Sequence, residues 1–448
     1  MAFSQRQTVD GVSDTPPSLR RRSLHASPSG DENLNEVRLT VHRATHQIGG
    51  NCVEISTEDG HRIILDVGRP LDAPQSARGL LPKSLDIGSP IDGVLISHPH
   101  QDHYGVLEDV PADWPIYPGE PTARLIKLTS AVLGKQLLHT FQPWKSGVPF
   151  QVGPFAVTPL LTDHSAFDAH MLLIEVHGKR ILYSGDFRTH GRKSVLPRRL
   201  MKSPPKNLDI LLMEGTNLGS DKSCVTESDL ENDFVELFRG TAGRVFVAWS
   251  AQNVDRTVTL YRACLKTGRT LIVDLYTAEV MEALAEFGKL PRPSWNNLKV
   301  VITKAFGKVY RETGRADFVD RVAPYGIAAA RLAETPSRWV AMVRSSLIRD
   351  YVANDVQPNS DDAWCWSMWQ GYLKNEEGAR VQAWFEEGGS RAAQIHTSGH
   401  ASPSQLRTFA QAMNAEQLIP IHGDAWDENT DSFPSIRRLA DGEPMTLL

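Results

Sequence analysis

From residue 37 onward the chain alternates short apolar runs with polar turns. Val37, Leu39 and Val41 stand at every second position, the spacing that puts one face of a strand into a core. Cys52-Val53-Glu54-Ile55, Ile63-Ile64-Leu65 and Val94-Leu95-Ile96 follow, with Gly49-Gly50 and Asp59-Gly60 marking turns. Further strands are predicted at Phe155-Ala156-Val157, over 171–176, at Ile181-Leu182-Tyr183 and at Ile210-Leu211-Leu212. Near Gly240 the rhythm changes. Strands over 244–249 and 270–274 alternate with helices over 253–266 and 278–287, and Thr226-Glu227-Ser228-Asp229 reads as a capping box for a preceding helix. This βαβα order implies a parallel sheet covered by helices, and so a second folded unit. Strands over 339–343 and 364–367 and helices over 376–385 and 405–413 complete the pattern. Trp364, Trp366 and Trp369 are expected to be packing residues rather than a surface for stacking bases.

A length of 448 residues agrees with two units. No apolar run approaches the ~20 residues needed to span a bilayer, so no membrane partner is expected. The net charge of -5 argues against binding nucleic acid over the whole surface, while leaving room for a local basic channel. Four scattered cysteines form no Cys-x-x-Cys pair, which fits a reducing cytoplasm and directs any metal site to nitrogen and oxygen ligands. Residues 1–36, rich in Ser, Pro, Asp and Arg and carrying Arg20-Arg21-Arg22, read as a disordered tail without the features of a secretory or transit segment.

The chemistry is concentrated at the ends of apolar runs. Ser97-His98-Pro99-His100-Gln101-Asp102-His103 directly follows Val94-Leu95-Ile96. A single histidine is ordinarily a core or surface residue; four ligand-type side chains this close after a buried strand point to a metal site, with His98 and His100 on one side and Asp102 and His103 facing a second ion. The same placement recurs in Asp66, Asp163-His164, Ser184-Gly185-Asp186, Glu214, His396-Thr397-Ser398-Gly399-His400 and His422-Gly423-Asp424. Seven of the fifteen histidines lie in these clusters.

The order Asp66, His98-x-His100-x-Asp102-His103, His164, Asp186 resembles the metallo-β-lactamase fold. Glu214, Ser398-Gly399-His400 and Pro420-Ile421-His422-Gly423 resemble the additional motifs of the β-CASP nucleases, ribonuclease J among them. The resemblance implies an α/β architecture: a metallo-β-lactamase αββα sandwich, residues 37–222 and 389–448, with an inserted Rossmann-like β-CASP domain at 223–388. It further implies two divalent ions, zinc before manganese, held by His98, His100 and His164 and by Asp102, His103 and His422, with Asp186 between them. Asp66 would orient the histidine loop. A hydroxide shared by two metals would attack the phosphorus, and His400, supported by Glu214, would protonate the leaving oxygen. His396 and Ser398 would bind the substrate phosphate.

Within that resemblance a histidine at position 422 favours RNA over DNA, and the His396-to-His400 sequence favours a 5′-exonuclease, with endonuclease action also open. A DNA nuclease, a small ester or thioester hydrolase and an inactive RNA-binding scaffold are the competing readings; a homodimer is possible. Two features depart from ribonuclease J. Arg344-Ser345-Ser346 stands where that family has a Gly-Ser-Gln-Gly-type loop, and little chain follows His422, where ribonuclease J has a further domain. The acid-free run over 187–208, with Arg188, Arg192, Lys193, Arg198, Arg199, Lys202 and Lys206, reads either as a phosphate-steering strip or as a solvated loop. Lys304, Lys308, Arg311 and Arg315 form a second such candidate.

Overall fold

Two six-stranded sheets face each other, and their apolar alternation explains why. In spatial order the first contains Pro444–Leu447, Val37–Arg43, Cys52–Thr57, Arg62–Leu65, Gly93–Ile96 and Ile116–Pro118. The second contains Gln417–Pro420, Ile210–Met213, Lys179–Tyr183, His170–Val176, Phe155–Leu161 and Phe150–Val152. Val37, Leu39, Val41, Ile55 and Leu95 from the first meet Leu172, Ile174, Ile181 and Leu212 from the second in one buried layer. The outer faces are apolar too. Ile64, Val94 and Ile96 pack under Ile126 of helix Glu120–Val132, and Leu182, Leu211 and Met213 under Leu406, Phe409 and Met413 of helix Pro403–Met413. The layers therefore run αββα. This is a computed structural model, and it describes residues 36–447 except 75 and 221–223. The expected tail with its three arginines lies outside the described residues, apart from residue 36.

A third sheet has seven strands, all parallel, in the order Gly326–Ile327, Leu298–Val301, Thr270–Asp274, Trp339–Met342, Val245–Ala248, Ala363–Trp366, Arg391–Gln394. Both faces are covered, by Phe234, Leu260 and Phe318 on one side and Leu347, Tyr351 and Phe385 on the other. That is why its strands read as continuous apolar runs. The sequence expectation ended this unit at 388, yet Arg391–Gln394 pairs in register with Ala363–Trp366, so the sheet runs on to residue 394. The helix expected over 278–287 instead spans Leu275–Ala283, because the Asp274 side chain accepts the Thr277 N–H and starts the helix at once. The Thr226 capping box is present as read.

Among the contacts that join this unit to the sandwich are one apolar and one charged cluster. Leu125 and Leu128 pack against Val280, Met281 and Leu284. Arg188, fully buried, lies against Asp163, Glu227 and Asp255. No helix among the described residues is long and apolar enough to cross a membrane.

Candidate metal centre

Each candidate residue follows the C-terminal end of a strand, which collects them along one edge of the sandwich. Asp66 follows Arg62–Leu65, His98 follows Gly93–Ile96, and His164 follows Phe155–Leu161. Asp186 follows Lys179–Tyr183, Glu214 follows Ile210–Met213, and His422 follows Gln417–Pro420. Asp102 and His103 sit on the short helix Gln101–Tyr104. This helix packs closely on the strand ends because position 68 is glycine, where any Cβ would run into the Asp102 carbonyl. Asp66 and His422 both hold left-handed backbone, at φ 60° and 48°, the kind of local strain that collects at functional sites.

The ligand-type atoms form three overlapping groups: His98, His100 and His164; Asp102, His103, Asp186 and His422; and His164, Asp186 and His400. Within each group the atoms lie within 4.8 Å of one another. Asp186 stands between the first two, its Oδ2 3.1 Å from His103 Nε2 and 3.6 Å from His98 Nε2.

Hydrogen bonds leave the facing atoms free. His98 Nδ1 is 3.1 Å from Ser97 Oγ, which donates to Asp66 Oδ2 at 2.7 Å. His103 Nδ1 donates to the same Asp66 oxygen at 2.7 Å, and Tyr183 OH donates to it at 2.6 Å. His164 Nδ1 donates to the Gly399 carbonyl at 2.5 Å, and His422 Nδ1 to Asn51 Oδ1 at 2.7 Å. What remains is His98 Nε2, His422 Nε2 and Asp186 Oδ1, buried and with no hydrogen-bond partner. Buried polar atoms are rarely left this way, and three of them on residues of these groups fit cation ligation. The donor set, all imidazole and carboxylate, suits zinc and also accepts manganese.

Electrostatics agree with that use. Burial pushes His98 and His164 well below the ordinary histidine value and lowers His100 and His422, which favours the neutral ring that metal ligation requires. Burial also lowers His103, but Asp186, Asp66 and Asp102 together outweigh it and raise the ring well above its ordinary value. Burial disfavours ionised Asp186, and the surrounding His103, His422 and His400 overcome this and bring it well below. His400 Nδ1 lies 3.0 Å from Glu214 Oε2. Against burial, the carboxylates of Glu214 and Asp186 raise His400 to about 9.

Residues 47–214 match the metallo-beta-lactamase superfamily, and residues 390–426 match the Zn-dependent metallo-hydrolase RNA specificity domain. Ribonuclease J of Helicobacter pylori is 24% identical over 418 residues, 89% of this chain and 58% of that protein. Ribonuclease J of Mycobacterium tuberculosis is 23% identical over 416 residues, covering 88% and 70%. In these matches the chain resembles the β-CASP, ribonuclease J-like branch of the metallo-β-lactamase superfamily. A crystal structure of a protein of unknown function from Enterococcus faecalis V583 shares the fold of this chain, with TM-score 0.73 and 18% identity over 92% of this chain and all of that one. The chain spans little more than half the length of the Helicobacter relative.

Several residues that local sequence patterns do not mark also matter in this centre. Asn51 and Tyr183 fix His422 and Asp66, and Asn51 Nδ2 donates to Tyr183 OH at 3.0 Å. Asn51 stands just before the strand Cys52–Thr57 rather than after one, so its only signal in the sequence was a polar residue beside a strand end. Ser398 Oγ accepts from Asn217 Nδ2 at 3.0 Å and from the His400 N–H at 3.1 Å, which leaves its hydroxyl hydrogen free to donate. His396 is half-buried and held neutral, lowered to about 4 first by burial and then by Arg256. It would meet a phosphate as a neutral donor.

The basic run over 187–208 divides, because carboxylates from elsewhere claim its first half. Arg188 is paired as above, Arg192 meets Glu231 at 3.2 Å, and the Lys193 ammonium reaches the Ala166 and Phe167 carbonyls. Arg198, Arg199, Lys202 and Lys206 are exposed. In the second basic group Lys308, Arg311 and Arg315 are paired with Glu312, Asp320 and Glu279. Arg344 meets Asp274 at 3.1 Å.

Proposed function

We propose that this chain is a metal-dependent ribonuclease that hydrolyses RNA phosphodiester bonds, working from the 5′ end, internally or both. One observation carries the reading: His400, bonded to Glu214, stands beside Asp186 at the edge of a cluster of imidazoles and carboxylates whose buried inward atoms lack partners. The Helicobacter and Mycobacterium relatives, both ribonucleases J, support RNA as the substrate.

His98, His100 and His164 would hold one divalent ion and Asp102, His103 and His422 a second, with Asp186 next to both groups. Bound divalent cations supply Lewis acidity toward a phosphoryl oxygen and make water a competent nucleophile near neutral pH. The remaining roles fall to the chain. Asp66 keeps His103 and the Ser97-His98 turn in place, and Asn51 does the same for His422. Glu214 accepts the Nδ1 proton of His400, so that Nε2 carries the proton given to the leaving oxygen. The carboxylates that raise His400 keep this proton available at neutral pH, an effect that cations beside Asp186 partly offset. Ser398 and His396 offer hydrogen-bond donors to a phosphate of the strand.

The test compares labelled RNA and DNA of one sequence, each with a 5′-hydroxyl, monophosphate or triphosphate end. It uses protein freed of metal by chelation and reloaded with zinc or manganese. Metal-dependent cleavage of RNA in preference to DNA is expected, with rates that depend on the 5′ end. Equal or faster cleavage of DNA would overturn the RNA assignment, and activity indifferent to chelation would overturn the metal mechanism.

A further inference from the structure

Of three nearby tryptophans the fold buries two and leaves one out. Trp364 and Trp366 lie in the core of the seven-stranded sheet, Trp364 stacked on Phe385 with ring centroids 5.1 Å apart. Trp369, expected from sequence to pack like them, is 61% exposed, and its neighbour Tyr372 is 45% exposed. Two large aromatic rings left together in water are unusual unless they meet a ligand.

Their position is fixed. The Trp366 indole N–H donates to the Trp369 carbonyl at 3.1 Å, and the Tyr372 N–H donates to the same oxygen at 3.1 Å. The two rings meet edge to face, with centroids 5.4 Å apart and planes at 88°. Trp369 also lies over Gly371, where any Cβ would overlap the indole, so the glycine is what lets the ring settle there. Held in this way, the rings lose little conformational entropy when a ligand lands on them.

Their place is beside the segment that leads into the metal centre. Ser367 Oγ donates to the Ile395 carbonyl at 2.6 Å, and Gln394 Nε2 donates to the Met368 carbonyl at 3.4 Å. The segment carrying both rings is thereby tied to the strand that leads into His396 and His400. The pair thus stands beside the strand that runs into the loop of the proposed general acid.

We infer that Trp369 and Tyr372 form a platform on which an unpaired base of the substrate strand stacks as its phosphate enters the centre. The inference rests on the ribonuclease reading and adds to it a binding subsite for single-stranded RNA. A π-face accepts every base, so the platform orders the strand without selecting a sequence, and stacking one base on such a ring is worth about tenfold in affinity.

Trp369→Ala, Trp369→Phe and Tyr372→Ala proteins are assayed on a short single-stranded RNA and on copies carrying one abasic residue at each position in turn. Trp369→Ala is expected to raise KM about tenfold with kcat within about twofold, Tyr372→Ala to raise KM severalfold, and Trp369→Phe to restore most of the loss. At one position the abasic RNA is expected to raise the wild-type KM by the same factor, with no further rise in Trp369→Ala. An unchanged KM on RNA that the wild type cleaves, or losses that multiply at every abasic position, would overturn the platform and leave the nuclease reading standing. A changed mass in solution with KM unaltered would assign the rings to a second copy of the chain and overturn it too. If the wild type cleaves no RNA at all, the ribonuclease reading itself fails and takes the platform with it.

Discussion

His103 Nδ1 donates to Asp66 Oδ2 across 2.7 Å, and the other oxygen of Asp66 accepts the Ser97 N–H at the same distance. One carboxylate therefore orients a proposed ligand of the second ion and the turn that carries His98 of the first. Asp66→Ala is expected to weaken divalent-ion binding about 10- to 100-fold, the usual cost of removing such a support. Competition with a chromophoric chelator measures it. The isosteric Asp66→Asn, which keeps the packing and loses the charge, separates this effect from misfolding, and unaltered ion affinity in both proteins would refute the role.

His400 is paired with Glu214 and is not needed to complete either of the first two ligand groups. His400→Ala is therefore expected to retain two ions per chain by elemental analysis while RNA turnover falls roughly 10²- to 10⁴-fold. Glu214 raises the His400 pKa, so Glu214→Gln is expected to move the alkaline limb of the pH–rate profile to lower pH. A limb that stays in place would remove Glu214 from the proton-donating pair.

Arg188 makes contacts at 2.5 Å to Asp255, 3.4 Å to Asp163 and 3.5 Å to Glu227, and donates to the Ser398 carbonyl at 3.1 Å. Arg188→Met would leave buried carboxylates from both folded units without this partner. A loss of about 3–5 kcal/mol in urea unfolding is expected, and Arg188→Lys recovers only part because it lacks the planar fork. A loss below about 1 kcal/mol would show that the cluster does little for stability.

Burial opposes ionised Glu227, but Arg256 and Arg188 outweigh it and bring its pKa from 4.5 to about 2. A carboxyl depressed in the folded state stabilises the fold above its unfolded value and loses that contribution as pH falls toward its folded value. Stability is thus expected to drop between about pH 4.5 and 2, by up to roughly 3 kcal/mol from this group. Asp163, which burial raises, titrates in the opposite sense, so the comparison is with Glu227→Gln. The Tm of that variant should fall less steeply over the same range, and parallel curves would refute the assignment.

Most strands were legible because apolar alternation or an unbroken apolar block marks them directly. The short ones were not. Ile116–Pro118 and Pro444–Leu447 have too few residues to show a period, and Arg391–Gln394, an Arg-Ala-Ala-Gln stretch, becomes a strand only because Ala363–Trp366 offers it a free edge. The basic run over 187–208 shows the same limit. Its charge could be read from the chain, whereas the carboxylates that claim Arg188 and Arg192 come from elsewhere in the chain.

The sequence by itself determined the kind of chemistry: nitrogen and oxygen ligands placed again and again where strands end, because that is where a side chain leaves the core and can face a cleft. Tertiary structure alone decided which atom of each residue does the facing. His164 is turned by Gly399, 235 positions away, and His422 by Asn51, 371 positions away. It also decided that Trp366 is buried while Trp369 is exposed. Such choices depend on which groups packing brings within hydrogen-bond reach, and no local periodicity encodes that.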